Sequence, residues 1–227
     1  MYRNSLLDKL ERKIGRYALR NLMTIIVAGT AIVWLLDMLV YYRTGVLVSS
    51  WLYFNKYAIL QGQIWRVITF VFVPQEYSMF YLALSLYFYW LIGNALENEW
   101  GSFRFDIFYL CGVVGAIISG FITGYATNYY LNLSLFLAFA ILYPTYRVLL
   151  FFFLPIQVKW LALFDLALLA FTAIFSTAME RVALLFALIN LALFFWRIPF
   201  DKLRRANRRR KWKRDSRRNN GDDPFDL

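Results

Sequence analysis

Histidine is absent from the 227 residues of this chain, and cysteine occurs once, at Cys111. The lack of histidine removes the usual general base near neutral pH and the commonest metal ligand. A single cysteine cannot form an internal disulfide. We therefore expect no histidine-based catalysis, no cofactor and no metal site.

Charged residues are also scarce, at 17% of the chain, whereas 61% of the residues are hydrophobic and 20% are aromatic. Soluble domains are only about half apolar, so a mean hydropathy of +0.51 indicates a membrane protein. We predict an all-α membrane protein, a bundle of six transmembrane helices. The predicted spans are residues 22–42, 77–96, 103–126, 131–146, 160–178 and 182 to 196 or 198.

The fourth span is short and almost entirely apolar. Residues 132–144 are apolar except for Asn132 and Ser134 at the start. A helix over residues 131–146 would be about 24 Å long, shorter than a hydrocarbon layer of roughly 30 Å. We predict a short central helix inside a ring of longer ones, with its polar start facing a cavity because exposure to lipid is costly.

The two ends of the chain are basic. Residues 1–20 are predicted to form an amphipathic helix on the membrane surface, or else a solvated helix packed on the bundle, followed by a membrane domain over residues 21–198. Residues 199–227 are predicted to be a disordered tail, since residues 202–218 hold eleven lysines and arginines against one acid, Asp215. We expect this tail to bind anionic lipid or a cytoplasmic partner, and no specific nucleic acid.

Basic residues also indicate an orientation. Six spans place both termini on one side, and that side carries all but four of the 25 lysines and arginines. By the positive-inside rule both termini are predicted to be cytoplasmic, in a bacterial plasma membrane or a eukaryotic endoplasmic reticulum. The four exceptions are Arg43, Lys56, Arg66 and Arg181.

The third span has a small residue at every fourth position. This spacing places Gly112, Ala116, Gly120 and Gly124 on one helix face. Small side chains let helix backbones approach closely within a membrane. We expect a neighbouring element to pack tightly against this stripe.

Two motifs resemble those of the rhomboid family. The stretch Gly-Gln-Ile-Trp-Arg-Val-Ile-Thr at 62–69 resembles the Gly-x-x-Trp-Arg-x-x-Thr that precedes the second helix of that family. Residues 91–104 resemble the Gly-x-x-x-Glu and Gly-Ser-x-Arg pattern that ends this helix and begins the next. The resemblance implies a rhomboid-like fold and structural roles for Trp65, Arg66, Gly93, Glu97, Gly101 and Arg104.

The resemblance fails at the residues that carry proteolysis. Proteases of the family use a serine in Gly-x-Ser-Gly on the fourth helix and a histidine on the sixth, but Ser134 lies between leucines. The second-helix histidine and asparagine of the family would fall near Tyr81 and Ser85. The chain thus resembles inactive relatives such as iRhoms and derlins, which bind membrane segments of other proteins without cutting them. We expect no catalytic residue, with Ser134 as a vestige, and a client-facing surface formed by Tyr81, Ser85, Asn132, Ser134 and Trp160.

Two other functions stay open from the sequence. An intramembrane serine protease could use Ser134 with an unconventional base. A small transporter or channel could use Asp37, Asp165, Asn132 and Asn190, since ionisable groups within a membrane often mark pathways. The expected position of both aspartates near span ends argues against a transporter or channel, and Asp37 is expected at the membrane interface.

Overall fold

A computed structural model describes residues 11–13, 15–150, 154–175 and 177–195 of the chain. It divides the chain into two compact units, Met1–Leu191 and Ala192–Leu227, and of the second only the last residues of a helix are described. The predicted tail and most of the predicted N-terminal helix therefore lie outside the described residues. The helices are α1 Leu22–Thr44, α2 Lys56–Leu60, α3 Arg66–Thr69, α4 Met79–Trp100, α5 Ser102–Thr123, α6 Tyr129–Leu142, α7 Val158–Phe175 and α8 Ala178–Phe195.

Four helices have the length and apolarity needed to cross a membrane. These are α1, α4, α5 and α7, with 23, 22, 22 and 18 residues and mean hydropathies from 1.4 to 2.2. The prediction of an all-α integral membrane protein is confirmed. Helix α8 has 18 residues and carries Glu180 in its first turn, and it coincides with the predicted sixth span.

The fourth span is a short helix in the middle of the bundle, as predicted. Helix α6 has 14 residues, about 21 Å, and packs against α4, α5 and α7. Its residues Leu135, Ala138 and Phe139 are almost inaccessible. It ends at Leu142 and not at residue 146, because Pro144 disfavours the helical conformation at Tyr143, which has φ −121° and ψ 56°.

Two short antiparallel strand pairs, which the sequence did not predict, fix the loops. Strand β1, Phe54–Asn55, pairs with β2, Tyr125–Ala126, and so joins the first loop to the end of α5. Helix α5 ends at Thr123, earlier than predicted, because Gly124 adopts a left-handed φ of 97°. Strands β3, Arg147–Leu150, and β4, Leu154–Gln157, form a second antiparallel pair between α6 and α7.

The N-terminal segment does not form one helix up to residue 20. Residues 11–13 are helical, Gly15–Tyr17 is a 3-10 turn, and residues 18–20 are irregular. The chain leaves the helix here because the backbone N–H of Leu19 donates to Asp106 Oδ2 at 2.7 Å. This part of the amphipathic prediction is wrong.

Candidate functional site

Trp65 and Arg66 organise the first loop from within. The Arg66 guanidinium is buried and donates to the carbonyls of Ser50 and Tyr53, each at 3.0 Å, and to Gln63 Oε1 at 2.6 Å. The Trp65 indole donates to the carbonyl of Trp51 at 3.1 Å. We call this hydrogen-bonded group of Arg66 and its partners the loop anchor. It closes the loop on itself, as expected of a structural motif.

The second motif ties the α4–α5 turn to the start of α1. Glu97 Oε1 accepts from the backbone N–H of Asn21 at 3.0 Å and from the Ser102 hydroxyl at 2.6 Å. Gly101 makes the turn between the two helices with φ 83° and ψ 153°. Arg104 pairs with Glu11 at 3.1 Å.

Gly93 sits where α4 crosses α1. A Cβ at this position would lie 2.3 Å from Cγ of Met23, which is buried. No side chain larger than hydrogen fits there without moving α1. The glycine is therefore required by the close approach of the two helices.

Near the end of α4, just before the turn to α5, Glu99 Oε2 accepts a hydrogen bond from the Tyr143 hydroxyl at 3.3 Å. Burial, together with the negative charge of Glu99, raises the pKa of Tyr143. The phenol therefore stays protonated and remains a donor at physiological pH.

Asn132 and Ser134, at the polar start of α6, line two different cavities. Two residues apart on a helix means about 200° of rotation, so the side chains point to opposite sides. Asn132 lines a cavity of about 210 Å³, and Ser134 lines one of about 280 Å³. The expectation of one polar site at the start of the short helix is wrong in this respect.

The smaller cavity, which we call the loop-side cavity, lies between α1, α4, α6 and the segment that precedes α4. Ser85, Tyr89 and Asn132 all line it. At its edge Asn128 donates to the carbonyls of Val71 and Val73 at 2.9 and 3.0 Å. Sequence reasoning missed Asn128, although an asparagine just before a helix is a usual polar anchor.

The larger cavity, which we call the three-helix cavity, lies between α5, α6 and α8. Ser119 and Asn190 line it together with Ser134, and all three are buried. The Ser134 hydroxyl donates to the carbonyl of Leu131 in its own helix at 2.7 Å. Sequence reasoning missed Ser119, whose hydroxyl has no partner within the described part of the chain.

The small-residue stripe packs tightly only in part. A Cβ on Gly112 would lie 3.0 Å from Nδ2 of Asn190, and one on Gly120 would lie 2.6 Å from the Phe54 ring. Between them, Ala116 lines the three-helix cavity. A Cβ on Gly124 would meet nothing within 4 Å, and this glycine ends α5 and does not continue its small-residue face, so the expectation of close packing is wrong at that position.

Tyr81 and Trp160 lie on the outer faces of α4 and α7, 57% and 59% exposed. Neither lines one of the two cavities. The structure thus brings Ser85 and Asn132 together, and it places Ser134, Tyr81 and Trp160 elsewhere. A lipid or a helix in the bilayer would meet the two aromatic residues first.

Both aspartates differ from expectation. Asp37 is 2% exposed and accepts from the backbone N–H of Ser49 at 2.8 Å, so it is buried beneath the first loop. Asp165 is the eighth of the 18 residues of α7, half-buried and about 10 Å from the start of the helix, and so not at a span end.

Metal binding finds no support in the described residues, where no group of three or more histidine, cysteine, aspartate or glutamate side chains is close enough to hold an ion. The polar side chains that line the two cavities are hydroxyl, amide and phenol groups, with one carboxylate in each, Glu76 in the loop-side cavity and Glu180 in the three-helix cavity. They can exchange hydrogen bonds with a ligand that enters the bundle.

Comparison with protein families gives one match, in which the model of the Rhomboid domain covers residues 61–197. The matched region starts in the first loop and includes both motifs and all helices from α3 onward. Comparison with curated proteins gives no match.

Proposed function

The chain belongs to the rhomboid family, and we propose that it is a member that binds transmembrane segments of client proteins without cleaving them. Such a protein would act in the quality control or trafficking of membrane proteins. One observation carries the proposal: Ser134, the serine of the fourth span, donates its hydroxyl to its own helix, in a chain without histidine.

The chemistry of proteolysis supports this choice. A serine hydroxyl is a weak nucleophile unless a neighbouring base takes its proton. The three-helix cavity around Ser134 is lined by neither histidine nor lysine. Ser85, which stands near one oxyanion-side position of the proteases, lines the other cavity. The carboxylate in the lining of the three-helix cavity, Glu180, is exposed at the cavity entrance. The lining therefore offers Ser134 neither the histidine nor the lysine that would activate a serine hydroxyl.

Client binding is supported by polar groups on α4, α6 and α7. Ser85 and Asn132 line the loop-side cavity, and Asp165 is half-buried in the middle of α7. Polar groups within a membrane find partners on neighbouring helices. A client helix that approaches past Tyr81 and Trp160 could therefore exchange hydrogen bonds with these side chains. The clients favoured by this arrangement carry an amide, hydroxyl or basic side chain near the middle of the span.

The first loop supports a role at the membrane surface. Trp51, Tyr57, Trp65 and Ile68 are all exposed on it, and aromatic residues concentrate at membrane interfaces. A loop that inserts there would thin the bilayer locally and make poorly fitting client segments easier to tilt. Both termini would face the cytoplasm, where the basic tail would bind anionic lipid or a partner protein.

Reconstitution with matched clients tests the proposal. Single-span helices of leucine, with or without one central asparagine, would be placed with the protein in lipid nanodiscs, and binding read by energy transfer. Because a hydrogen bond between membrane helices is worth about 1 kcal/mol, we expect roughly fivefold tighter binding of the asparagine helix. This preference should disappear in Ser85→Ala with Asn132→Leu.

A matched control is Thr44→Val, which removes an exposed hydroxyl at the end of α1. Equal binding of both clients by the parent protein would contradict the proposal. Cleaved clients that disappear in Ser134→Ala would establish the alternative of an unconventional protease.

Asp165 favours a second candidate, a small transporter or channel, because a half-buried carboxylate in mid-helix is costly to keep in lipid. Proton or cation flux into proteoliposomes would test it. Flux that is lost in Asp165→Asn would support transport, and client binding without flux would exclude it as the main activity.

A further inference from the structure

We propose that the three-helix cavity binds a linear aliphatic molecule that carries a hydroxyl group at each end. Its walls are largely apolar, with Gly112, Ala116, Leu131, Ala183 and Ala187 among them. Three buried polar side chains, Ser119, Ser134 and Asn190, interrupt these walls, and of these Ser134 already donates to its own helix.

Ser119 and Asn190 have hydrogen-bonding capacity left over. Ser119 is 1% exposed, and its hydroxyl has no partner among the residues described. Asn190 is 3% exposed and donates its amide nitrogen to the carbonyl of Phe108 at 3.4 Å, which leaves Oδ1 without a described partner. Buried groups of this kind are normally satisfied, so a bound molecule or water is expected against them.

The two groups lie at different depths. A Cβ on Gly112 would touch Asn190, so these two residues are at one level, and Ser119 lies seven residues further along α5. Seven residues of helix rise correspond to about 10 Å, which an extended chain of about eight bonds spans. One hydroxyl would donate to Asn190 Oδ1, and the other would exchange a hydrogen bond with Ser119.

The space between these groups suits an alkyl chain. Ala116 on α5 and Ala183 and Ala187 on α8 leave room where larger side chains would fill the bundle. About 280 Å³ is close to the lower limit of small-molecule sites, roughly 300 Å³, and exceeds an apolar cavity of about 150 Å³ that admits benzene. A helix about 10 Å across does not fit, so this site is not the one proposed for clients.

An entrance is present at the end of the bundle where α5 ends and α8 begins. Tyr125, Thr177 and Glu180 line the cavity there, and all three are exposed. From Glu180 to Asn190 the cavity follows α8 for about 15 Å. A thin, flexible molecule can therefore enter lengthwise from the membrane surface.

Photolabelling of the full-length protein in nanodiscs tests this site. The probe is 1,8-octanediol with a diazirine at the middle of the chain, and adducts are located by mass spectrometry. We expect saturable labelling on the facing parts of α5, α6 and α8 that unlabelled 1,8-octanediol displaces. Octane with the same diazirine should label these positions at least tenfold less.

Three variants test the site. Ser119→Ala and Ala187→Phe should each reduce the labelling at least fivefold, because the first removes a hydrogen-bond partner of the diol and the second fills the cavity. Ala83→Phe, on the exposed face of α4, is the matched control and should leave it unchanged. Only variants that elute as a single species are compared.

Labelling that never saturates, or that the octane probe reproduces, would overturn the proposal. Water would then be the partner of the buried polar groups in the cavity. The result does not bear on client binding, because Asn132 and the loop-side cavity lie on the other side of α6.

Discussion

The loop anchor and the three-helix cavity use buried polar residues in opposite ways. In the loop anchor, the Arg66 guanidinium meets two carbonyls and a glutamine side chain. In the three-helix cavity, Ser119 and Asn190 are as deeply buried, yet atoms on both lack a described partner. A buried polar group without a partner costs about 1–3 kcal/mol. The first arrangement therefore stabilises the fold, and the second is retained at the expense of stability.

This contrast separates residues that build the rhomboid scaffold from residues that are available to a ligand. Both motifs that resemble the family belong to the first kind, since Glu97 Oε1 also accepts two hydrogen bonds within the chain. Ser119 and Asn190 belong to the second kind. Substitutions in the two regions should consequently have opposite effects on stability and on binding.

The largest effect is expected at Arg66. Arg66→Ala leaves the carbonyls of Ser50 and Tyr53 without a donor, and charged hydrogen bonds are worth about 1.5–3 kcal/mol each, so we expect a loss of about 3 kcal/mol in the free energy of unfolding. Unfolding in mixed micelles measures this loss. Arg43→Ala, at an exposed position at the end of α1, is the matched control. Equal losses in both variants would mean that the loop anchor does not stabilise the loop.

A smaller loss is expected at Gly93. In Gly93→Val the new side chain overlaps Met23, and overpacking of this kind costs about 1–3 kcal/mol. Ala83→Val, at an exposed position of the same helix, adds a comparable bulk without a clash. The two variants compared by thermal unfolding should differ by several degrees, and a Gly93→Val protein as stable as Ala83→Val would show that α1 and α4 do not approach so closely.

Two hydroxyl groups allow a direct comparison of the regions. Thr69 donates to the carbonyl of Leu52 at 2.9 Å, whereas Ser119 has no described partner. Thr69→Val should therefore cost about 1 kcal/mol, and Ser119→Ala should leave the free energy of unfolding unchanged or raise it. Chemical unfolding without added ligand measures both. If Ser119→Ala were the more destabilising, its hydroxyl would have a structural partner after all.

The smallest effect is expected at Ser134. Its hydroxyl bonds to its own helix, and Ser134→Ala should change the free energy of unfolding by less than about 0.5 kcal/mol. Client binding should also be unaffected, because Asn132 and not Ser134 lines the loop-side cavity. Energy transfer with the asparagine-bearing client measures this binding. A marked loss of binding in Ser134→Ala would mean that the client site lies on the other side of α6.

Hydropathy and local chemistry were enough to predict the six longer helices and the central position of α6, but not the short helices α2 and α3 of the first loop. The ends of helices were less accurate where a single residue decides them, as Pro144 does after α6 and Gly124 after α5. The strand pair β3–β4 was missed because an unbroken apolar stretch has no alternation that distinguishes a strand from a helix.

The cavities could not be predicted in the same way. Helix α6 is apolar on nearly all sides, so its sequence does not say which neighbour each face meets. The separation of Asn132 from Ser134, however, follows from helical rotation alone and was available from the sequence. The burial of Asp37 was not predicted, because it depends on a hydrogen bond from the backbone of Ser49 in the folded first loop.

Photo-crosslinking in native membranes tests the central claim most directly. A photoreactive residue would replace Tyr81, Ser85 or Trp160 in turn, with Ser134 intact, and the adducts would be identified by mass spectrometry. Binding without cleavage predicts full-length membrane proteins among the adducts, enriched in spans with a polar residue near the middle. Adducts of trimmed fragments that become full-length in Ser134→Ala would contradict it and identify an active protease.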